Sequence, residues 1–324
     1  MKAVSFYQSA FSSYLQEEIK VQEPKNLYEP ISYILNIGGK RLRPVMVLMA
    51  AEVFGTSHKK ALDAALAIEV FHNFSLMHDD IMDAAPIRRG KESVHEKWNI
   101  NTAILSGDAM LINAYQLFEN YQGATFRELA TLFTKTAIKV CEGQQYDVDF
   151  ETIEKVSLEE YIKMIRCKTA VLVGAALEMG AIIAGAQEDA KKIIYDYGVN
   201  LGIAFQLQDD YLDAFGDPES FGKQVGGDII ENKKTFLYLK AIEKSSAQEA
   251  AQLEHLYTIT PADATEKIET VKSIFESSGA ATLAKAEIER YTAKAFEVLK
   301  QLEIEENKKE MLLQFGNSLM TRTV

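Results

Sequence analysis

Two clusters of acidic residues, DDIMD at 79–83 and DDYLD at 209–213, each lie inside an otherwise apolar stretch of the chain. On an α-helix with ~3.6 residues per turn, the first and last aspartates of the pattern D-D-x-x-D lie one turn apart on the same face, with the middle one beside them. We therefore expect each cluster to aim three carboxylates in one direction. The six carboxylates are those of Asp79, Asp80, Asp83, Asp209, Asp210 and Asp213.

Carboxylates gathered in this way need a cation between them. Two unit charges ~6 Å apart repel by roughly 3 kcal/mol at an effective dielectric constant near 20. Mg²⁺ is the natural candidate, because it takes oxygen ligands and usually binds one or two carboxylates, with water and phosphate oxygens completing its shell. Two such clusters facing one cavity predict a site for a diphosphate.

A solvated acidic surface is the alternative interpretation of each cluster. It fits poorly, because apolar side chains such as Phe74 and Ile81 surround the first cluster, and Phe205 and Leu212 surround the second. A helix face exposed to water would be more evenly polar.

The remainder of the chain predicts an all-α protein. Sustained alternation of apolar and polar residues, the mark of strands, is absent, and Ser157 with Glu160 predicts a capping box that opens a helix running to Ala186. With 324 residues, 47% hydrophobic content and no Pro/Gly/Ser-rich linker, we predict one domain over residues 1–324. Apolar residues recur at helical spacing through 61–82, 103–121, 126–140, 191–215 and 281–301.

Composition excludes several classes of protein. A net charge of −12 argues against nucleic-acid binding, which requires a basic face. The absence of an uncharged apolar run of ~18 residues predicts no membrane span, and together with the absence of a signal peptide it predicts a cytoplasmic protein. Cys141 and Cys167 are too few for a disulfide framework or a four-ligand zinc site, and they agree with a reducing compartment.

Basic residues lie close to the acidic clusters. The segment GGKRLRP at 38–44 places Lys40, Arg41 and Arg43 at a predicted helix amino end, where backbone N–H groups and the helix dipole favour phosphate. Each basic residue alone is most simply a surface residue, but together, in so acidic a chain, they predict anion binding. Further donors along the chain are Arg88, Arg89, Lys168, Thr169, Lys223 and Lys233.

Seven motifs in order give the chain a family resemblance: GGKRLRP, FHNFSLMHDDIMD followed by RRG, GQQYD, KT, FQLQDDYLD, GK and GGDIIENKKTF. Over nearly its whole length the chain resembles the trans-isoprenyl diphosphate synthases, the chain-elongating head-to-tail prenyltransferases. The resemblance implies a bundle of long helices around a deep central cavity, usually assembled as a homodimer. It also implies the condensation of isopentenyl diphosphate with an allylic diphosphate.

The resemblance implies roles for individual residues. Asp79 and Asp83 would coordinate two Mg²⁺ ions and Asp209 a third, with Asp80, Asp210 and Asp213 as supporting or water-mediated ligands. The allylic diphosphate would be held by Arg88, Lys168, Thr169, Gln206, Lys223 and Lys233. Isopentenyl diphosphate would be held by Lys40, Arg43, His72 and Arg89. The residues expected to carry catalysis are Asp79, Asp83, Arg88, Lys168, Asp209, Lys223 and Lys233.

No side-chain nucleophile is needed in such a reaction. Cations stabilise the departing pyrophosphate while the allylic C–O bond ionises, and the isopentenyl double bond then attacks the allylic cation.

In this family the residues four and five positions before the first aspartate commonly form the floor of the pocket for the growing chain. Here these are Ser75 and Phe74, roughly 6 to 7.5 Å along the helix from Asp79. A large Phe74 limits the depth of the pocket and a small Ser75 opens some of it. We expect a product of twenty carbons, with fifteen as the close competitor.

Two other functions remain open from the sequence. A class I terpene cyclase would use the same metals without isopentenyl diphosphate, but intact GGKRLRP and DDYLD argue against it. A regulatory subunit of a heteromeric synthase would typically have lost an acidic motif, whereas both are complete here.

Overall fold

The computed structural model of the protein describes residues 2–216 and 226–321. Its regular structure is almost entirely helical, which confirms the predicted all-α class. One antiparallel pair of strands occurs in the described ranges, Ile87–Arg88 (β1) with Lys91–Glu92 (β2), in which Ile87 pairs with Glu92. The sequence did not predict this hairpin, because two-residue strands are too short to show alternation.

The described residues form two compact units. The first comprises residues 2–135, 175–195 and 302–309, and the second comprises 136–174, 196–216, 226–301 and 310–321. Four helices have residues in both: α7 (Gly123–Thr152), α9 (Val171–Ile183), α10 (Glu188–Phe215) and α16 (Glu306–Met320). The single domain expected from composition stays a prediction.

The first unit is built around α4 (Leu62–Met82), where each residue from Ala64 to Phe71 is buried. Helix α4 packs against α3 and α6, and a helix buried on all sides must be enclosed by others. The helices that lie wholly in this unit are α1 (Val4–Glu18), α2 (Lys25–Asn36), α3 (Leu42–Val53), α4, α5 (Val94–Lys97) and α6 (Ile100–Gln116). Short 3₁₀ turns at His58–Ala61 and Leu117–Asn120 precede α4 and follow α6.

The second unit has the side chain of Tyr197 in its core, with the hydroxyl donating to the carbonyl of Leu312 at 2.8 Å. The helices that lie wholly in this unit are α8 (Leu158–Ile165), α11 (Gly227–Ile230), α12 (Phe236–Lys244), α13 (Ala247–Leu256), α14 (Thr265–Ser277) and α15 (Ala280–Lys300). Over the described part of the chain, no helix is both long enough and apolar enough to cross a lipid bilayer.

The capping box is confirmed, since Ser157 Oγ accepts from the Glu160 amide and the Glu160 carboxylate accepts from the Ser157 amide at 2.8 Å. The expected unbroken helix from there to Ala186 is wrong. Helix α8 ends at Ile165, a wider π-helical turn follows at Arg166–Ala170, and α9 ends at Ile183. The turn falls on the KT motif, as π turns often fall at functional sites.

Candidate active site

The first acidic cluster lies at the carboxyl end of α4, where the amide of Asp83 donates to the carbonyl of Asp79 at 2.9 Å. Asp79 and Asp83 are half-buried, whereas Asp80 is only 1% exposed. The expectation that three carboxylates share one direction is therefore corrected. The middle aspartate turns into the protein, because its neighbours on that helix face are apolar.

Arg88 on β1 holds the buried aspartate. Its Nε donates to Asp80 Oδ1 at 2.8 Å, its Nη2 donates to the same oxygen, and Nη2 also lies 3.7 Å from Asp79 Oδ2. Left-handed backbone at Ala84 and Arg89 allows the chain to return after α4. Burial raises the pKa of Asp80 despite the attraction of the guanidinium. Arg88 thus fixes the position of Asp80 and lies close to Asp79.

The second carboxylate oxygen of Asp80 has no hydrogen-bond donor among the described residues. Asp80 Oδ2 is buried and accepts no hydrogen bond from the described residues. Buried acceptors are nearly always satisfied in native proteins, so such an atom points to a missing donor or cation.

Three of the residues predicted to bind isopentenyl diphosphate lie together in the first unit. Arg43 Nη1 is 3.2 Å from His72 Nε2, and Arg89 Nη1 donates to the carbonyl of Gly38. A side chain on Gly39 would place its Cβ 2.6 Å from Arg89 Nη1, so the glycine is needed for this close approach. The GGKRLRP loop and the segment after DDIMD are thereby joined.

Lys40 and Arg41 take different positions in the same loop. Lys40 is exposed, and its carbonyl accepts from Gln8 Nε2 at 3.0 Å. Arg41, the left-handed residue before α3, donates instead to Glu69 Oε1 and to the carbonyl of Leu35. The sequence grouped Arg41 with the phosphate-binding residues, but its guanidinium is used to tie α2 and α4 to the loop.

The surroundings of His72 are strongly cationic. Burial, followed by the nearby guanidinium groups, lowers the pKa of His72 well below its usual value. The contributing arginines are Arg43, Arg89, Arg88 and Arg41. A neutral imidazole among several guanidinium groups is an environment suited to an anion.

The second set of basic residues lies in the second unit. Lys168, in the π-helical turn, donates from Nζ to Asp147 Oδ2 at 2.5 Å. An added Cβ on Gly143 would collide with the backbone of Lys168, so α7 approaches the turn closely only because residue 143 is glycine. The GQQYD segment therefore supplies both the close approach and the partner of Lys168. The helix predicted over 126–140 is longer in the structure, where α7 runs to Thr152 and carries the GQQYD segment.

A hydrogen-bond network joins the KT motif to the second acidic cluster. Thr169 Oγ1 donates to Gln206 Oε1 at 2.9 Å, and Gln206 Nε2 donates to Asp210 Oδ1 at 2.8 Å. The hydroxyl of the buried Tyr161 donates to Asp210 Oδ2. Burial raises the pKa of Asp210 to about 7. As in the first cluster, the middle aspartate is the inward one, while Asp209 and Asp213 are half-buried.

These residues line a cavity of about 110 Å³ in the second unit. Lys233 also lines it and forms an ion pair with Glu231 at 2.7 Å. Among the sequence-predicted residues, the cavity brings together Lys168, Thr169, Gln206, Asp210 and Lys233. Lys223 lies outside the described residues.

The donors fit a hard divalent cation in their chemistry. Within residues 2–216 and 226–321, no three histidine, cysteine or carboxylate side chains gather closely enough to hold a metal by themselves. Mg²⁺ commonly takes only one or two protein carboxylates and completes its shell with water and phosphate. The half-buried Asp79, Asp83 and Asp209, with the unsatisfied Asp80 Oδ2, are oxygen donors of that kind.

Sequence reasoning gave no role to Tyr161 or Asp147. Tyr161 precedes Lys168 by seven residues, which is two helical turns, so the spacing carried a signal of a shared face. Asp147 was visible as the last residue of GQQYD, but its partner 21 positions away was not.

The raised pKa of Asp210 predicts a pH dependence of stability. A carboxyl with a value near ~3.9 in the unfolded chain and about 7 in the fold binds more protons when folded, so stability is lost as pH rises across that window. Relative to Asp210→Asn, we expect the thermal unfolding midpoint of metal-free wild type to decrease as the pH rises from about 4 to about 7. Asp189→Asn, exposed at the start of the same helix, is the control. Parallel pH profiles for wild type and Asp210→Asn would contradict the assignment.

Comparison with known proteins identifies relatives of this chain. The sequence model of the family described as polyprenyl synthetase matches residues 24–276. The chain is 41% identical over 232 residues to the geranylgeranyl diphosphate synthase of Methanosarcina mazei, covering 71% of this chain and 72% of the relative. It is 37% identical over 309 residues to a short chain isoprenyl diphosphate synthase of Methanothermobacter thermautotrophicus, covering 95% and 94%.

A solved structure is similar to this chain over nearly its whole length. A crystal structure of a geranylgeranyl pyrophosphate synthase superposes with a TM-score of 0.96 at 54% identity and covers 99% of both chains. The match of the family model extends over well more than half of the chain and includes DDIMD, KT, DDYLD and GGDIIENKKTF. The chain belongs to the polyprenyl synthetase family.

Proposed function

We propose that this chain condenses isopentenyl diphosphate head to tail with an allylic diphosphate, giving an all-trans isoprenyl diphosphate of twenty carbons. The observation that carries the proposal is that each acidic cluster has an anion-binding set in its own unit. Guanidinium groups surround His72 near DDIMD, and lysines line the cavity beside DDYLD. The diphosphate groups of the two substrates carry the negative charge that such cationic side chains bind.

Isopentenyl diphosphate binds, in this proposal, to Lys40, Arg43, His72 and Arg89. The neutral His72 donates or accepts a hydrogen bond without adding charge, while the arginines offer paired N–H groups that match phosphate oxygens. Arg41 contributes by holding the loop through Glu69.

The allylic diphosphate binds in the cavity of the second unit. Lys168 and Lys233 pair there with Asp147 and Glu231, and phosphate oxygens can replace these carboxylates as acceptors. Thr169 and Gln206 complete the wall. The assignment of Arg88 and Lys223 to the same diphosphate stays a prediction.

In the reaction the allylic C–O bond breaks and its electron pair leaves with pyrophosphate, stabilised by the lysine ammonium groups. The isopentenyl double bond then attacks the allylic carbon, and a proton leaves the adjacent carbon for the released pyrophosphate. The side chains therefore bind, orient and stabilise charge.

Magnesium is part of the proposal. Asp79 and Asp83 would hold two ions and Asp209 a third, with Asp213 as a supporting ligand. When bound, the ions supply Lewis-acid stabilisation of the departing pyrophosphate. The buried Asp80 and Asp210 support this arrangement by ordering Arg88 and Gln206, respectively.

In this proposal, Phe74 limits the length of the product. Its ring is 9% exposed and lies 5.6 Å from the ring of Phe71 and 4.8 Å from that of His78. His78 in turn fits against Gly107, where any added Cβ would collide with the imidazole. The ring of Phe74 thus lies between the rings of Phe71 and His78 along α4, and these contacts limit its movement. Ser75 donates to the carbonyl of His72 at 2.8 Å.

We also propose that the protein is a homodimer joined through α6. Its exposed face carries Ile104, Leu105 and Ile112, of which Leu105 is 60% and Ile112 59% exposed. Large apolar residues exposed on one helix face favour association, although Asp108 lies among them, and a second copy supplies a matching face by symmetry.

The activity is tested by incubating purified protein with Mg²⁺, labelled isopentenyl diphosphate and each allylic primer. We expect elongated diphosphates ending at twenty carbons, and complete loss of turnover after chelation of divalent ions. A hydrocarbon or alcohol product would instead indicate a terpene cyclase, and no turnover would indicate a regulatory subunit.

Replacement of the pocket floor is expected to change the product. Phe74→Ala removes the whole phenyl ring from the proposed end of the pocket, so the product ladder should extend by one or more five-carbon units at similar total turnover. Phe71→Leu, which alters the neighbouring ring behind the floor, is the matched control. An unchanged ladder in Phe74→Ala, measured by mass spectrometry, would remove Phe74 from this role.

The dimer is tested by placing a charge on the apolar face of α6. Leu105→Glu should shift the protein from dimer to monomer in sedimentation velocity, because an unpaired carboxylate is costly to bury. Ala293→Glu adds the same charge at an exposed position of α15 and should leave the mass unchanged. A monomeric wild type, or a dimeric Leu105→Glu, would contradict the proposed interface.

A further inference from the structure

Lys267 on α14 is a buried lysine whose hydrogen-bond acceptors, among the residues that the structure describes, are neutral. Lys267 is only 3% exposed. Its Nζ donates to Asn232 Oδ1 at 2.6 Å and to the carbonyl of Ile259 at 2.9 Å. The ring of Tyr257 lies 5.8 Å away. Burial of an ammonium group without a carboxylate partner is unfavourable. We therefore expect Lys267 to have a role other than core packing.

Asn232, one of the two acceptors of Lys267, lies in a strained turn. Asn232 has φ 58°, the left-handed region, and follows the short helix α11. Asparagine is among the residues that tolerate this conformation best, and its held side chain fixes the turn further. The next residue is Lys233, whose amide donates to the carbonyl of Asp228 at 2.9 Å.

A second lysine holds the other side of Lys233. Lys234 Nζ donates at 2.7 Å to the carbonyls of both Phe150 and Ile153, at the carboxyl end of α7. Carbonyls at a helix end have no partner within the helix and interact favourably with a cation.

Asn232 and Lys234 are therefore anchored to different helices, and together with Lys233 between them they line the cavity that Lys168 also lines. A lysine binds an anion more tightly when its backbone is already fixed, because less conformational entropy is then lost on binding.

We propose that Lys267 is a positioning residue for the reaction. By fixing Asn232, it holds the backbone of Lys233 so that this ammonium meets the allylic diphosphate, and Lys234 gives the same support from α7. The proposal rests on the function given above. It concerns a residue outside every motif that the sequence displays.

The test is Lys267→Met, which keeps the length of the side chain and removes its donors. We expect KM for the allylic diphosphate to rise about tenfold, as a small misplacement of a binding group can cause, with KM for isopentenyl diphosphate unchanged. Calorimetric affinity for inorganic pyrophosphate should fall by the same factor. Lys267→Arg, which keeps a charged donor, should recover part of the loss.

Lys294→Met, exposed on α15, is the matched control and should behave as wild type. A structural role alone would lower the thermal midpoint of Lys267→Met while leaving both KM values unchanged, and that result would overturn the proposal. So would an equal rise in both KM values.

A double-mutant cycle tests the route through Asn232. If Lys267 acts by fixing Asn232, then Lys267→Met should add nothing to Asn232→Ala, whereas additive effects would overturn the proposed route. Should Lys267→Met fail to fold, Lys267→Gln, which keeps a shorter and uncharged donor, carries the test through the same selective rise in KM, and unchanged KM values would overturn the proposal. An inactive wild type would instead contradict the function itself.

Discussion

Burial of the middle aspartate is the constraint on which both acidic clusters depend. Asp80 and Asp210 are each almost excluded from water, and each is fixed by donors from another segment of the chain. A buried carboxylate needs such donors because hydration is lost. Meeting that need places Arg88 beside the first cluster, and it places Gln206 and Tyr161 beside the second. The outer aspartates stay accessible to cations.

Several of the basic residues lie at or next to positions with a left-handed backbone conformation. In the described part of the chain, the non-glycine residues with left-handed φ are Arg41, Ala84, Arg89 and Asn232. Arg41 precedes the helix that carries Arg43, and Asn232 precedes Lys233. Residues held in such conformations are stabilised by the structure around them, and they cluster at functional sites. Here the surrounding hydrogen bonds from Arg41, Arg89 and Lys267 supply that stabilisation.

Much of the site was predictable because its residues are close in sequence. DDIMD with Arg88 and Arg89, and the KT motif, are local patterns that place charged and polar side chains near one another along the chain. The helical class was predictable for the same reason. Tyr161, Asp147 and Lys267 were not, since each acts on a partner from another helix and none stands in a pattern that signals the partner. The role of Arg41 was misjudged because a sequence shows charge without showing direction.

The sequence by itself determined the helical fold, the two acidic clusters and the set of basic side chains available to a diphosphate. These follow from periodicity and residue chemistry, which are properties of short segments. Tertiary structure decided which aspartates turn inward, which arginine supports a loop and which lysines brace Lys233. Those outcomes depend on burial, because the same carboxylate or ammonium is solvated at a surface and must find a fixed partner once water is excluded.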